Sequence, residues 1–299
     1  MTMKILITGS AGMLGTDLVE ALRPQFELVG IDRRDVPGAG IPTHGIDLVH
    51  AEATRACLLK ERPALIFHTA AKTAVDSCES EKQDALNLNV EMTRNLIRAG
   101  NEVGARLIFF STDYVFDGTK KGEYTEDDVP CPLNFYGETK CLAEKAIQAE
   151  ARRFNIFRVS WLYGLHGRSF PRTILQKAKE VRLLKVVSDQ IGRPTFTRDV
   201  AQAFLEMLTR QSSAFERAEH QTFNLANDGT CSWAEMASAV LKYAGFDQVK
   251  VEYVDSAQYP LPAARPKNSV LSIAKIQQHL GIRLRPWQEA AREFVKELA

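Results

Sequence analysis

Lys4-Ile5-Leu6-Ile7-Thr8-Gly9-Ser10-Ala11-Gly12-Met13-Leu14-Gly15 sets a short apolar, β-branched run before three glycines, and an amphipathic pattern continues from Thr16 to Leu22. Strand, glycine turn and helix in that order is the context in which a dinucleotide fingerprint has physical meaning. Gly9 permits the tight turn, Gly12 lets a pyrophosphate approach backbone N–H groups, and Gly15 lets the helix pack close to the strand. The helix N-terminus then presents its unpaired donors to the phosphates. The spacing is G-x-x-G-x-x-G rather than G-x-G-x-x-G, and three close glycines also suit a plain turn. Their place between strand and helix favours the dinucleotide reading.

The next β-run, Phe26 to Ile31, ends at Asp32-Arg33-Arg34. An acid at that strand tip suits the two adenine-ribose hydroxyls of NADH, whereas a following Arg33 suits the 2′-phosphate of NADPH. Gly45-Ile46-Asp47-Leu48 places Asp47 at a further strand end. There it could bond an adenine amino group or cap a helix expected over His50–Lys60. Ala64 to His68 is a fourth β-run, and the small residues of Thr69-Ala70-Ala71-Lys72-Thr73 would let a cofactor lie against the backbone. A helical segment from Glu81 to Val103 carries Asn89, which could bend the helix, hold a water or sit satisfied at the surface. Arg106–Phe110 is the fifth strand. Strands alternating with helices imply an α/β fold, a Rossmann-like doubly wound parallel sheet. Ligands then bind outside the carboxyl ends of the strands.

Ser111-Thr112-Asp113-Tyr114-Val115-Phe116 follows that fifth strand, and Tyr136-Gly137-Glu138-Thr139-Lys140 heads a helix running to about Ala151. Tyr136 and Lys140 are one helical turn apart and share a face. A cation beside a phenol lowers its pKa, which suits a general acid facing a carbonyl. Thr112 could give the same oxygen a second hydrogen bond. A surface Tyr and Lys on any helix would look the same. The glycine turn, Asp32, Asp47, Ala70–Thr73 and Thr112 all fall at the carboxyl ends of strands, and that co-location favours an active site.

Composition excludes other classes. With 299 residues and a formal net charge of +1, the chain has no basic block for nucleic acid and no apolar run that spans a bilayer. Its five cysteines are scattered and read as reduced thiols of a cytoplasmic protein. The six histidines show no metal-ligand spacing, so no metal site is expected.

The pattern Gly9-x-x-Gly12-x-x-Gly15 with Tyr136-x-x-x-Lys140 resembles the extended short-chain dehydrogenase/reductases. Ala70–Asp76, Ser111–Phe116, Pro132–Gly137, Ser160–Gly164, Asp189–Thr195 and Arg265–Ser269 extend the likeness over almost the whole chain. The resemblance implies NADPH or NADH as cofactor and reduction of the C4 keto group of a dTDP-linked 6-deoxysugar for polysaccharide synthesis. Tyr136 would be the proton donor, Lys140 would hold the nicotinamide ribose, and Thr112 would bond the sugar carbonyl. Gly12, Met13, Leu14, Asp32, Asp47, Leu48, Ala71, Lys72 and Thr73 match cofactor positions. Thr112, Asp113, Tyr114 and Trp161 match substrate positions. Lys72 departs from the His that family members often carry there, and Arg33-Arg34 is not fixed in the family. An epimerase or dehydratase on the same scaffold, or a non-catalytic regulatory subunit of methionine adenosyltransferase, remain alternatives. A homodimer is one option for assembly.

Beyond Ala151 the alternation loosens into a smaller α/β lobe. Residues 1–160, with part of 187–225, should form the NAD(P)-binding domain, and the rest of 161–299 the nucleotide-sugar lobe. Trp161, at a strand end, could stack on the sugar or fill a core. Gly192 and Pro194 imply a loop over Asp189–Thr195, where Arg193 faces a diphosphate or a surface acid. Pro266 pushes Arg265 towards an extended conformation from which it could reach a phosphate in the cleft, with Asn268 nearby. Helices at about Ile273–Leu280 and Pro286–Glu297 should close the smaller lobe.

Overall fold

A computed structural model describes residues 3–33 and 40–298; Arg34 lies outside the described residues. The chain runs β1 (Lys4–Thr8), α1 (Met13–Leu22), β2 (Glu27–Asp32), β3 (Thr43–Gly45), α2 (Ala51–Glu61), β4 (Leu65–His68), α3 (Val75–Ser80), α4 (Lys82–Leu86), α5 (Met92–Val103), β5 (Arg106–Thr112), α6 (Phe135–Glu150) and β6 (Phe154–Val159). With the strand Thr222–Asn224 these form one seven-stranded sheet in the order Thr222–Asn224, β6, β5, β4, β1, β2, β3. Every pairing in it is parallel.

The sheet is buried on both faces because successive side chains alternate sides. Ile5, Ile7, Phe67, Phe110 and Phe157 pack on one face with Leu18 and Leu22 of α1 and with Phe204. Leu6, Ile66 and Phe109 pack on the other with Leu58, Leu96 and Ile147. Each such side chain stabilises the fold by about 1.5–3 kcal/mol. Strand order reverses between β1 and β4, and such a switch point opens a crevice at the carboxyl ends.

The second half differs from expectation in two places. Asp189–Thr195 is not a plain loop: Ile191–Gly192 and Thr195–Phe196 form short strands. The helix Ala274–Leu280 packs Ile276 and Leu280 into the cluster under the large sheet, not into the smaller lobe. The closing helix Trp287–Leu298 does join that lobe, setting Trp287 and Phe294 against Tyr163, Phe196 and Met236. Leu183–Val187 pairs in parallel with Lys250–Val254 beside it. Among the described residues no helix is long and apolar enough to cross a membrane, and all five cysteines are free.

Candidate active-site cleft

A cleft of about 920 Å³ opens at the switch point. Gly9, Gly12, Met13 and Leu14 line its floor. Gly12 caps α1 without a side-chain acceptor, leaving the first N–H groups turned towards the cleft. A Cβ on Gly15 would sit 2.1 Å from the Gly9 carbonyl oxygen, so the turn folds this tightly only with glycine there. Asp32, Arg33, Leu48, Ala71 and Thr73 continue the wall. The Ala11 N–H donates to Asp32 Oδ2 at 3.2 Å, tying the strand tip to the glycine turn. Open helix donors, a strand-tip acid and walls of small side chains fit a dinucleotide.

Thr112, Asp113, Tyr114, Tyr136 and Lys140 meet at the other end of the same cleft. The Tyr114 and Tyr136 rings contact edge to face with centroids 6.2 Å apart, and the Thr112 hydroxyl hydrogen-bonds the Tyr136 phenol. Lys140 is buried with its ammonium 4.0 Å above the Phe109 ring. Burial pulls its pKa down to about 7, opposed by Glu144 one turn further along α6. The expectation that Lys140 depresses the Tyr136 pKa is not met. Burial dominates and pushes the phenol upward, with only the Thr112 hydrogen bond opposing it.

Five expected site residues lie outside the lining of this cleft among the described residues. Gly15 acts from beneath the turn. Asp47 accepts the Val49 N–H at 3.1 Å in a local turn, and His50 rather than Asp47 caps α2. Lys72 gives its ammonium to Glu81 and Asp84. Arg265 does not extend into the cleft; it grips Asp76 with two 2.8 Å bonds and backs onto the Tyr114 phenol. Asn268 donates to the Lys120 and Gly122 carbonyls. Arg193 takes the second of its two expected settings: buried itself, it pairs with the exposed acid Glu123, and also bonds Asp228 and the Leu271 carbonyl.

The partners of Trp161 and Asn89 were not legible in the sequence. Trp161, at φ +48, stacks on Trp233 at 3.6 Å, and both indoles line the cleft with Phe170 and Arg168. Asn89 is buried rather than on the surface. Its amide takes the Lys72 N–H, bonds the Lys72 carbonyl and donates to Thr139 of α6. Around it Asn87–Glu91 forms a π-helical turn that breaks the expected continuous helix between α4 and α5. Away from the cleft lining, Asp17, Glu20 and His166 each bring a ligand atom within 4.8 Å of the others, a cluster that could hold a metal ion. Histidine spacing could not reveal a site assembled across so much chain.

A switch-point cleft with a glycine turn at one end and a Tyr-x-x-x-Lys pair at the other defines an extended short-chain dehydrogenase/reductase. The family model described as RmlD substrate binding domain matches residues 3–299, and the chain belongs to that family. It is 36% identical over 301 residues to dTDP-4-dehydrorhamnose reductase of Shigella flexneri, covering 99% of this chain and 98% of that protein. The crystal structure of dTDP-4-dehydrorhamnose reductase from Bacillus anthracis in complex with NADP matches at TM-score 0.89 and 32% identity, over 99% of this chain and 100% of the other. A Clostridium acetobutylicum ortholog of that reductase matches at TM-score 0.90 and 34% identity, over 99% of each chain.

Proposed function

We propose that this protein is a dTDP-4-dehydrorhamnose reductase, converting dTDP-4-dehydro-L-rhamnose to dTDP-L-rhamnose with NADPH or NADH. The observation that carries the reading is one continuous cleft holding both the glycine turn and the Thr112–Tyr136–Lys140 group. A bound reduced nicotinamide dinucleotide supplies the hydride. The glycine turn and the α1 N-terminus hold its phosphates, and Asp32 with Arg33 faces the adenine ribose. Tyr136 gives the proton to the C4 oxygen. Burial makes its phenolate costly, so Tyr136 keeps its proton until a stronger base, the developing alkoxide, takes it. Lys140, on the same face of α6, would hold the nicotinamide ribose. Thr112 donates to the same oxygen as charge grows there, in a cleft lined by Trp161 and Trp233. The smaller lobe, built from the parts of 161–299 that lie outside the large sheet and its helices, frames the nucleotide-sugar side. A homodimer and a cytoplasmic location belong to the same proposal.

The test is a spectrophotometric assay with dTDP-4-keto-L-rhamnose and each reduced cofactor. Stoichiometric consumption of the cofactor supports a reductase, whereas sugar conversion without it would point to an epimerase or dehydratase. Tyr136→Phe should lose about 10²–10⁴-fold in turnover while dinucleotide affinity, read by fluorescence titration, is kept. A wild-type rate in that variant would remove Tyr136 as the acid.

A further inference from the structure

The Thr112 hydroxyl has one proton and two lone pairs. It accepts the Tyr114 N–H at 3.2 Å, and its proton goes to Asp113 Oδ1 at 3.1 Å. One lone pair remains, and the single proton cannot serve Asp113 and the Tyr136 phenol at once. An ionised carboxylate can only accept, and so can a keto oxygen. While Asp113 is ionised, Thr112 therefore has no proton to give the substrate. When Asp113 is protonated, its own O–H can donate to Thr112 Oγ1, and the Thr112 proton is free to turn to the sugar oxygen.

We propose that Asp113 is a positioning residue that switches Thr112 from acceptor to donor, so that reduction proceeds from the enzyme in which Asp113 is protonated. This rests on the reading of Thr112 and Tyr136 as the groups that engage the keto oxygen. Asp113 is 2% exposed, its Oδ2 has no hydrogen-bond partner, and it lies on the cleft wall. A buried carboxylate with an unsatisfied oxygen is costly to ionise. Burial raises its pKa to about 7, against the pull of the Ser269 and Thr112 hydroxyls and the Asp113 and Tyr114 amides. The groups facing it are Tyr114 on its own turn, Tyr136 on α6 with Lys140 and Cys78 behind, and Ser269 and Arg265 on the C-terminal segment. The Arg265 charge is held by Asp76.

The experiment is the pH profile of kcat/KM for keto-sugar reduction in the wild type and in Asp113→Asn. Asparagine is neutral at every pH, and its amide can donate to Thr112 as the acid O–H does. The protonated form is the active one, so wild-type kcat/KM should fall as pH rises through the Asp113 ionisation. In Asp113→Asn the acidic-side kcat should stay within about tenfold of wild type. Lys140 titrates near the same pH, so the wild-type limb should fall with the steepness of two protons and the Asp113→Asn limb with that of one. A folded Asp113→Asn with an equally steep limb, or with no activity at any pH, overturns the proposal. Should that variant not fold, Thr112→Ser must keep the two-proton steepness and Thr112→Val must lose it; its survival in Thr112→Val overturns the proposal equally. A wild type that consumes no NADPH at any pH removes the reductase reading, and this inference with it.

Discussion

The two walls of the cleft are built in opposite ways. On the side proposed for the dinucleotide, residues close in sequence act together: Gly9 with Gly15 in one turn, Tyr136 with Lys140 on one helix. On the side proposed for the sugar, the supports are ties across the chain. Arg265 reaches Asp76 over 189 positions, Asn134 reaches the Ala264 carbonyl over 130, and Arg193 reaches Glu123 over 70. The first wall is thus sensitive to backbone sterics and the second to pairs of side chains. Tyr114 and Asp113 stand at the seam between them.

The sharpest test of that contrast is Gly137→Ala. A Cβ there would lie 2.1 Å from the Tyr114 carbonyl oxygen and 3.0 Å from the Pro132 Cβ. Backbone cannot yield as a flexible side chain can, so α6 must shift away from the Thr112–Tyr114 turn. The expected loss is about 3 kcal/mol, the upper end of ordinary overpacking costs, together with a fall in kcat as Tyr136 moves. A variant that melts with the wild type and turns over normally would break the view that sterics govern this wall.

A second effect belongs to the same wall. His68, at the tip of β4, is buried between two threonines, with Nδ1 2.8 Å from Thr8 Oγ1 and Nε2 3.0 Å from Thr93 Oγ1. Thr93 already donates to the Asn89 carbonyl, so Nε2 carries the hydrogen and Nδ1 accepts from Thr8. Burial, and then the Lys140 charge, depress the His68 pKa from 6.5 to about 3. Between those values the unfolded chain binds a proton that the folded chain refuses, so stability is full above 6.5 and is lost as pH falls. From pH 7 to pH 5 the loss is about 2 kcal/mol. Asp113, raised to about 7, moves stability the other way over this range, so the measure is a difference: in urea unfolding His68→Gln should gain about 2 kcal/mol on the wild type from pH 7 to pH 5. Equal acid sensitivity would place the titrating group elsewhere.

The same contrast explains what could be read in advance. Elements ordered by local patterns were legible: the strand–glycine–helix start, the parallel sheet, and the shared face of Tyr136 and Lys140. Asn89 was singled out, but its partners Lys72 and Thr139 lie too far along the chain for its role to follow from spacing. Trp233 was invisible as a cleft residue because its stacking on Trp161 depends on the folded smaller lobe. Arg265 was read as a phosphate ligand, and Arg193 as facing a diphosphate or a surface acid, because an arginine in a Pro-containing loop looks available. Their acids, Glu123 and Asp76, lie in distant segments that no periodicity connects to them. The sign of the Tyr136 shift failed for a related reason, since spacing reveals a neighbouring charge but not the depth of burial.

The smallest expected effect probes the long-range wall directly. Arg265 and Asp76 form a bidentate pair whose side chains are 15% and 39% exposed, so solvent screens it and its loss should cost only about 1 kcal/mol. Its value to the site lies in what stands behind it. The guanidinium hydrogen-bonds the Tyr114 phenol, and the Tyr114 ring buttresses Tyr136 edge-on. Arg265→Met keeps the bulk and removes the charge. It should lower kcat a few-fold and leave KM for the dTDP-sugar nearly unchanged. An arginine that contacts a substrate phosphate would do the reverse, raising KM with kcat held. Asp76→Asn should mimic the loss, and the double variant should be no worse than either single one, because both break one tie. Additive losses, or a rise in KM alone, would mean that this arginine faces the ligand and not the seam.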